Sequence, residues 1–348
     1  MIAATYCKNE GFRIEDIPVP ECGSEEILLR VKAASICGTD VKIIRNGHRK
    51  LKEGQKIVLG HEFVGVIVKT GRNVSGYSEG QRVGLAPNAG CGLCQACISG
   101  MANYCPEYTA FGIDMDGGHA EYVSIPAKFI RQGNVNILPE TLSDPVGSVL
   151  EPFSCVVNGA RKSQIVLGDT VVIFGAGPIG MMHLMLVNLL GAAKIIMVDI
   201  NAERLQKALD AGASHAIDST KEDVKKSIMA LTSGWGADVI ITACPVREVQ
   251  EMATDLLAPF GRLSIFGGLP AGSSKIQFDS NAVHYRNLVV TGTTGGSVDD
   301  YRRGIQLAVN GKVDLSSIVS DSFPMGEMEA AYLKAQDAPS GKVVILNK

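Results

Sequence analysis

Residues 171–180 read Val-Val-Ile-Phe-Gly-Ala-Gly-Pro-Ile-Gly, a β-branched apolar run that breaks into spaced glycines and then into a helical pattern. This stretch restricts the fold more than any other. In such a turn the first glycine, Gly175, makes the tight reversal and the second, Gly177, lets a pyrophosphate approach the backbone. The third, Gly180, lets helix and strand pack closely. Pro178 and Ile179 open the helix, whose free N–H groups and positive dipole end favour phosphate. Apolar runs at 170–174, 195–199, 215–218, 238–242, 262–266 and 288–291 alternate with helical patterns at 179–190, 202–211 and 221–231. Runs buried on both faces and separated by helices predict an α/β, doubly wound parallel sheet.

A bare GxGxxG is weak, and a glycine turn without a ligand is its plain alternative. The context strengthens it: the next strand ends in Asp199, 19 residues after Gly180, where an acid can accept from both ribose hydroxyls. Ile200 and Asn201 follow it, not Arg or Lys, so NAD is expected over NADP. Arg204, one turn on, is expected to cover the adenine.

Residues 1 to about 150 read instead as short strands with turn punctuation, all-β with little helix. After Gly295 come an amphipathic segment at 301–309 and a final strand at 342–346. The net charge of −3 lacks the basic excess of a nucleic-acid binder. The uncharged stretch 170–193 holds Gly175, Gly177, Pro178, Gly180, His183 and Asn188, a poor membrane span and a good strand–turn–helix. With no signal-like N-terminus and an odd count of nine cysteines, a soluble cytoplasmic protein without disulfides is expected.

Four of those cysteines, Cys91, Cys94, Cys97 and Cys105, form a C-x2-C-x2-C-x7-C run. Four thiolates so close suit a closed tetrahedral Zn²⁺ site; an iron–sulfur cluster or redox thiols are the other readings of the pattern. Cys7, Cys22, Cys155 and Cys244 are isolated and read as buried free thiols. A second set is dispersed: Cys37-Gly-Thr39-Asp, Gly-His61-Glu62 and Leu-Glu151-Pro. Singly each is ordinary, but together they supply thiolate, imidazole and carboxylate, an open catalytic zinc set.

These motifs, in this order and spacing, resemble the zinc-containing medium-chain alcohol dehydrogenases, and within them the polyol (sorbitol-type) branch, including dehydrogenases of phosphorylated polyols such as galactitol 1-phosphate. The match runs over nearly the whole chain. The resemblance implies a GroES-like β-barrel catalytic domain at 1–154, with a structural zinc lobe at about 88–108. A Rossmann NAD-binding domain would follow at 155–290, and 291–348 would complete the catalytic domain. It implies two zinc ions per chain, one on Cys37, His61 and Glu62 with Glu151 as alternating or fourth ligand, the other on the four clustered cysteines. It places the nicotinamide carboxamide near Phe266 and Gly267, and it implies a homodimer or homotetramer.

Thr39, two residues after a zinc-ligand cysteine, is placed to hydrogen-bond the substrate oxygen and pass its proton outward. Many relatives have a histidine where this chain has Lys42; His48 is the candidate substitute in the relay. The arginine with which sorbitol-type enzymes bind substrate hydroxyls is also missing. The segment 41–52 holds Lys42, Arg45, Arg49, Lys50 and Lys52 and no acid. Lys42, Arg45 and Lys50 could bind the phosphate of a polyol phosphate, or could form a solvated basic loop. The expected reaction is therefore hydride transfer from a secondary alcohol of a polyol or polyol phosphate to NAD. An L-threonine 3-dehydrogenase-like or sugar-acid dehydrogenase is the alternative enzyme, and an inactive NAD- and zinc-binding scaffold the alternative outside catalysis.

Overall fold

The computed structural model describes residues 1–270, 272–337 and 341–347. The chain forms two units, Met1–Ser154 with the residues from Gly296 onward, and Cys155–Gly295. The chain leaves one for the other within a single helix, Leu150–Ser163.

The unit Cys155–Gly295 is built on a six-stranded, wholly parallel sheet. Its order is His215–Asp218, Lys194–Asp199, Thr170–Phe174, Ala237–Thr242, Leu257–Ile265, Val289–Gly292. Val171, Val172 and Ile173 are fully buried, which is why this strand carries no polar alternation. Successive strands add first to one side of Thr170–Phe174 and then to the other. The order therefore reverses there, and the crevice beyond its C-terminal end is where ligands bind in such sheets. Helices Pro178–Leu189, Ala202–Asp210 and Val224–Leu231 lie between the strands; Asn201 and Asp223 cap the last two by accepting from the N–H of Arg204 and Lys226.

Two helices here were not expected, Arg247–Leu256 and Ser280–Tyr285. The strand expected at 262–266 begins earlier, at Leu257, and within it Phe260 takes φ +65°. Residues 291–295 belong to this unit because Val289–Gly292 is the edge strand of its sheet.

His183, on the helix Pro178–Leu189, is fully buried and meets Phe266 edge-on at 4.7 Å between ring centroids. Neither ring nitrogen has a hydrogen-bond partner, and burial pushes its pKa down to about 3. An unfolded-state histidine titrates near 6.5, so below that pH the unfolded chain binds the extra proton and the folded state loses stability. His183→Leu removes this term. Between pH 6 and 4 the wild type should lose up to about 1.4 kcal/mol per pH unit more than the variant. Urea unfolding of both proteins across that range checks it, and equal pH slopes would refute it.

In the other unit, the antiparallel strands Gly11–Asp16, Ile2–Cys7 and Lys56–Val58 make a small sheet. The larger seven-stranded sheet runs Val135–Ile137, Arg82–Leu85, Glu62–Thr70, Ile27–Ser35, Lys342–Leu346, Val319–Pro324, with Tyr122–Ile125 also paired to Ile27–Ser35. Its core gathers Ile27, Leu29, Val31, Phe63, Ile67, Val83, Phe111 and Phe129. The final strand falls at the expected residues, and the amphipathic segment is the helix Val298–Val309.

The expectation of little helix in the first 150 residues is corrected by Gly38–Asn46, Ala127–Arg131 and Asp144–Ser148. The first begins with a capping box, in which Asp40 accepts from the backbone N–H of Cys37. Residues 37–40 are both ligand motif and helix start, and the first role conceals the second. Of the four isolated cysteines only Cys7 is buried; Cys22, Cys155 and Cys244 are partly exposed. Among the described residues no helix is long and apolar enough to cross a membrane.

Candidate metal and cofactor sites

Gly175 leaves its strand at φ +100°, a conformation that a side chain resists. Gly177 is the extended N-cap of the helix Pro178–Leu189, with Pro178 in its first turn, and a Cβ there would meet nothing within 4 Å. The backbone is thus approachable where a phosphate would lie, at a helix N-terminus. Asp199 steadies this turn from the neighbouring strand: Oδ2 accepts from the N–H of Ala176 at 2.6 Å, and Oδ1 from Ile200 and Asn201 at 2.8 and 2.9 Å. Arg204 Nη1 stands 3.9 Å from the same carboxylate. Gly267 is tied to the sheet by its N–H to the Thr242 carbonyl at 2.7 Å, and its own carbonyl accepts from Gln250 Nε2 at 2.7 Å. Phe266, beside it, lies against His183.

In the other unit the sulfurs of Cys91, Cys94, Cys97 and Cys105 all lie within 4.8 Å of one another. Backbone N–H groups converge on them. Leu93 and Cys94 donate to Cys91 Sγ, while Cys91 and Glu107 donate to Cys105 Sγ. The two donors on Cys91 bring its thiol down to about 7. Four sulfurs at this separation, with N–H groups to stabilise thiolate, fit a tetrahedral zinc with no open position.

The second cluster joins Cys37, His61 and Glu62, whose ligand atoms also lie within 4.8 Å of one another. Cys37 is the N-cap of the helix Gly38–Asn46 and Glu62 begins the strand Glu62–Thr70, so two element ends supply the set. Asp40 is buried behind them. Its Oδ1 accepts from the Gly60 N–H at 3.3 Å and stands 3.9 Å from His61 Nδ1. Burial pulls the His61 pKa down, but Cys37, then Asp40 and Glu151, outweigh it and raise it well above the ordinary value. Glu151, buried in the first turn of the helix Leu150–Ser163, therefore acts on this site although it is not one of the three clustered groups. Thiolate, imidazole and carboxylate, with no fourth donor clustered on them among the described residues, fit a zinc with room for substrate.

Three residues of this site went unseen in the sequence. Lys342 donates from Nζ to Glu62 Oε1 at 2.8 Å, although 280 residues separate them. His119 lies under Gly60 (φ +92°), where a Cβ would collide with its ring. Tyr332 donates to His119 Nδ1 at 2.5 Å, and His119 Nε2 donates to the Ser35 carbonyl at 3.2 Å. The one available signal was Lys342 at the head of an apolar strand, which a buried strand tolerates only when it is paired.

Thr39 lies partly exposed in the helix turn after Cys37. His48 is buried, and its Nδ1 accepts from the N–H groups of Lys50 and Leu51 at 3.2 Å each, within its own loop. Lys42 is exposed. Arg45 donates to the Gln336 carbonyl at 2.8 Å, and Lys50 pairs with Asp114 at 2.6 Å, 5.1 Å above the Tyr108 ring.

Residues 23–135 match the alcohol dehydrogenase GroES-like domain, and residues 178–310 match the zinc-binding dehydrogenase family. The L-threonine 3-dehydrogenase of Bacillus subtilis is 34% identical over 341 residues, 97% of this chain and 95% of that one. The chain belongs to the zinc-binding medium-chain alcohol dehydrogenases. Among solved structures, a zinc-binding dehydrogenase of Sinorhizobium meliloti bound to NADP aligns with a TM-score of 0.91 and 29% identity, covering 99% of this chain and 98% of that one. An alcohol dehydrogenase (rspB) of Escherichia coli complexed with NADH aligns at 0.89 and 27%, covering 99% of both. This dehydrogenase is thus an NAD(P)- and zinc-binding oxidoreductase of two domains, one GroES-like and one Rossmann, acting on a small alcohol or polyol. Its two clusters fit a structural and a catalytic zinc.

Proposed function

We propose that this dehydrogenase oxidises a small secondary alcohol of the L-threonine kind, with NAD as acceptor, and not a polyol phosphate. The observation that carries the reading is the full-length 34% identity to an L-threonine 3-dehydrogenase. The basic segment supports it. Of Lys42, Arg45 and Lys50, the three candidates for binding phosphate, Arg45 donates to the Gln336 carbonyl and Lys50 pairs with Asp114, which weakens an anion clamp.

In this reading Cys91, Cys94, Cys97 and Cys105 hold the structural zinc, and Cys37, His61 and a carboxylate hold the catalytic one. The catalytic zinc supplies Lewis acidity toward the substrate hydroxyl. Asp40 places a buried negative charge 3.9 Å from His61 Nδ1. Thr39 would accept the hydrogen bond of the substrate hydroxyl and, as it takes that proton, pass its own outward, and a bound nicotinamide would supply the acceptor for the carbinol hydride. Gly175, Gly177 and Gly180 take the pyrophosphate against the helix N-terminus, and Asp199 takes the adenosine ribose. A 2′-phosphate would meet the Asp199 carboxylate, which is why NAD is proposed over NADP.

NADH formation on L-threonine, sorbitol, galactitol and galactitol 1-phosphate tests the proposal. L-Threonine should exceed each polyol in kcat/KM by at least about tenfold, equivalent to about 1.4 kcal/mol of transition-state binding. A preference for galactitol 1-phosphate would overturn it and return the basic segment to the substrate.

A further inference from the structure

Gln250 is a buried polar side chain that the reaction just described does not use. It lies on the helix Arg247–Leu256, 3% exposed, in company with the buried Ala253, Thr254 and Leu256. An amide at such a position costs free energy unless it is hydrogen-bonded, and an apolar residue would pack there without that cost. Its Nε2 donates to the Gly267 carbonyl at 2.7 Å.

The sheet order gives that carbonyl its setting. Ala237–Thr242 lies beside Thr170–Phe174, and Leu257–Ile265 lies beyond it, on the side away from Lys194–Asp199. All run parallel, so the loops that follow, 243–244 and 266–268, open at the same end as the glycine turn. Each touches the next. A Cβ on Gly175 would stand 3.1 Å from the Ala243 carbonyl oxygen and 3.4 Å from Cys244 Cβ, and one on Gly267 would collide with the Cys244 carbonyl oxygen at 2.6 Å. With adenosine at Asp199 and pyrophosphate at the glycine turn, the other half of a dinucleotide extends along these two loops.

Gly267 is held by both of its polar atoms. Its N–H donates to the Thr242 carbonyl, and its carbonyl accepts from Gln250. In a trans peptide the C=O and the N–H that follows it point in opposite directions. The Gly267 carbonyl is drawn to the buried side, so the Gly268 N–H faces away from it. Gly268 is exposed, and a Cβ there would meet nothing within 4 Å. Among the described residues its N–H has no partner.

We propose that Gln250 is a positioning residue for the cofactor: it pins the Gly267–Gly268 peptide so that the Gly268 N–H stands open to the half of the dinucleotide beyond the pyrophosphate. This rests on the reading of the glycine turn and Asp199 as the dinucleotide site, and it is independent of the metal and of which alcohol is oxidised.

The test is the affinity of the zinc-loaded enzyme for NADH and for ADP, both by calorimetry. ADP carries the adenosine and the pyrophosphate and nothing that extends past them. Gln250→Met keeps the length of the side chain and removes the donor. It should weaken NADH by about tenfold, as for a lost hydrogen bond that leaves a carbonyl unpaired, and keep ADP within about twofold of wild type. Gly268→Pro removes the N–H itself and should have the same two effects. The double variant should bind NADH about as weakly as Gly268→Pro alone, because Gln250 then has no N–H to aim.

Equal weakening of NADH and ADP by Gln250→Met would make the residue a plain part of the core and overturn the proposal. Unweakened NADH, or losses that add in the double variant, would overturn it too. If Gln250→Met does not fold, Gln250→Glu takes its place, since it keeps the shape and as a carboxylate donates nothing. A wild-type enzyme that binds neither ligand would overturn the cofactor reading and this proposal with it, whereas the other outcomes leave that reading standing.

Discussion

Cys37→Ser should remove the open-site zinc and lower kcat/KM by at least about 10³-fold, with the four-cysteine zinc untouched. Serine keeps the size of the side chain but offers a hydroxyl where a deprotonated sulfur is needed. Cys37 also acts electrostatically on both His61 and Lys342, so its loss unbalances two neighbours as well. A Lewis acid contributes several kcal/mol to transition-state charge stabilisation, and each 1.36 kcal/mol is about a factor of ten in rate. Metal analysis beside steady-state kinetics checks the outcome, with zinc falling from about two to about one per chain. A variant that holds one zinc and keeps activity within tenfold of wild type would remove the open site from the chemistry.

The second large effect belongs to the glycine turn. A Cβ on Gly180 would stand 2.8 Å from the Gly175 carbonyl carbon and closer still to its oxygen, and neither backbone atom can move without displacing the turn. Gly180→Ala therefore pushes the helix Pro178–Leu189 away from the strand Thr170–Phe174. The N–H groups facing the pyrophosphate move with it. Affinity for NADH should drop by at least about tenfold, and stability by about 1–3 kcal/mol as in other overpacked sites. Both zinc ions should remain. Fluorescence titration with NADH measures the first and denaturant unfolding the second. Wild-type affinity in the variant would mean that the cofactor does not rely on this turn.

What could be read from the sequence was what is local in it. The glycine turn, Asp199 at the end of the next strand and the four cysteines each act across a few residues or one strand–helix repeat. Their spacing therefore carries their geometry. The helix Gly38–Asn46 was hidden because its capping residues are also a ligand motif. The cations of 41–52 were visible as charges, but Gln336, the partner that engages Arg45, lies 291 residues away. Lys342, Tyr332 and His119 were illegible for the same reason. Sheet register brings Lys342 to Glu62, while Tyr332 comes from the helix Met328–Gln336 and His119 from a loop, and no period in the chain announces such distant partners.

That register also bears on how the protein is made. Residue Ile36 emerges from the ribosome 306 residues before Lys342, which at about 5–20 residues per second is a wait of about 15–60 s. Throughout it, the Ala33–Ser35 flank that will receive the last strand has an unpaired edge, and Glu62 has no ammonium beside it. The contiguous unit Cys155–Gly295 has everything it needs once its own residues are out. The newborn chain therefore passes through a stage with a finished cofactor half and an unfinished metal half, and that exposed edge is the natural target of chaperones and of mispairing between nascent chains.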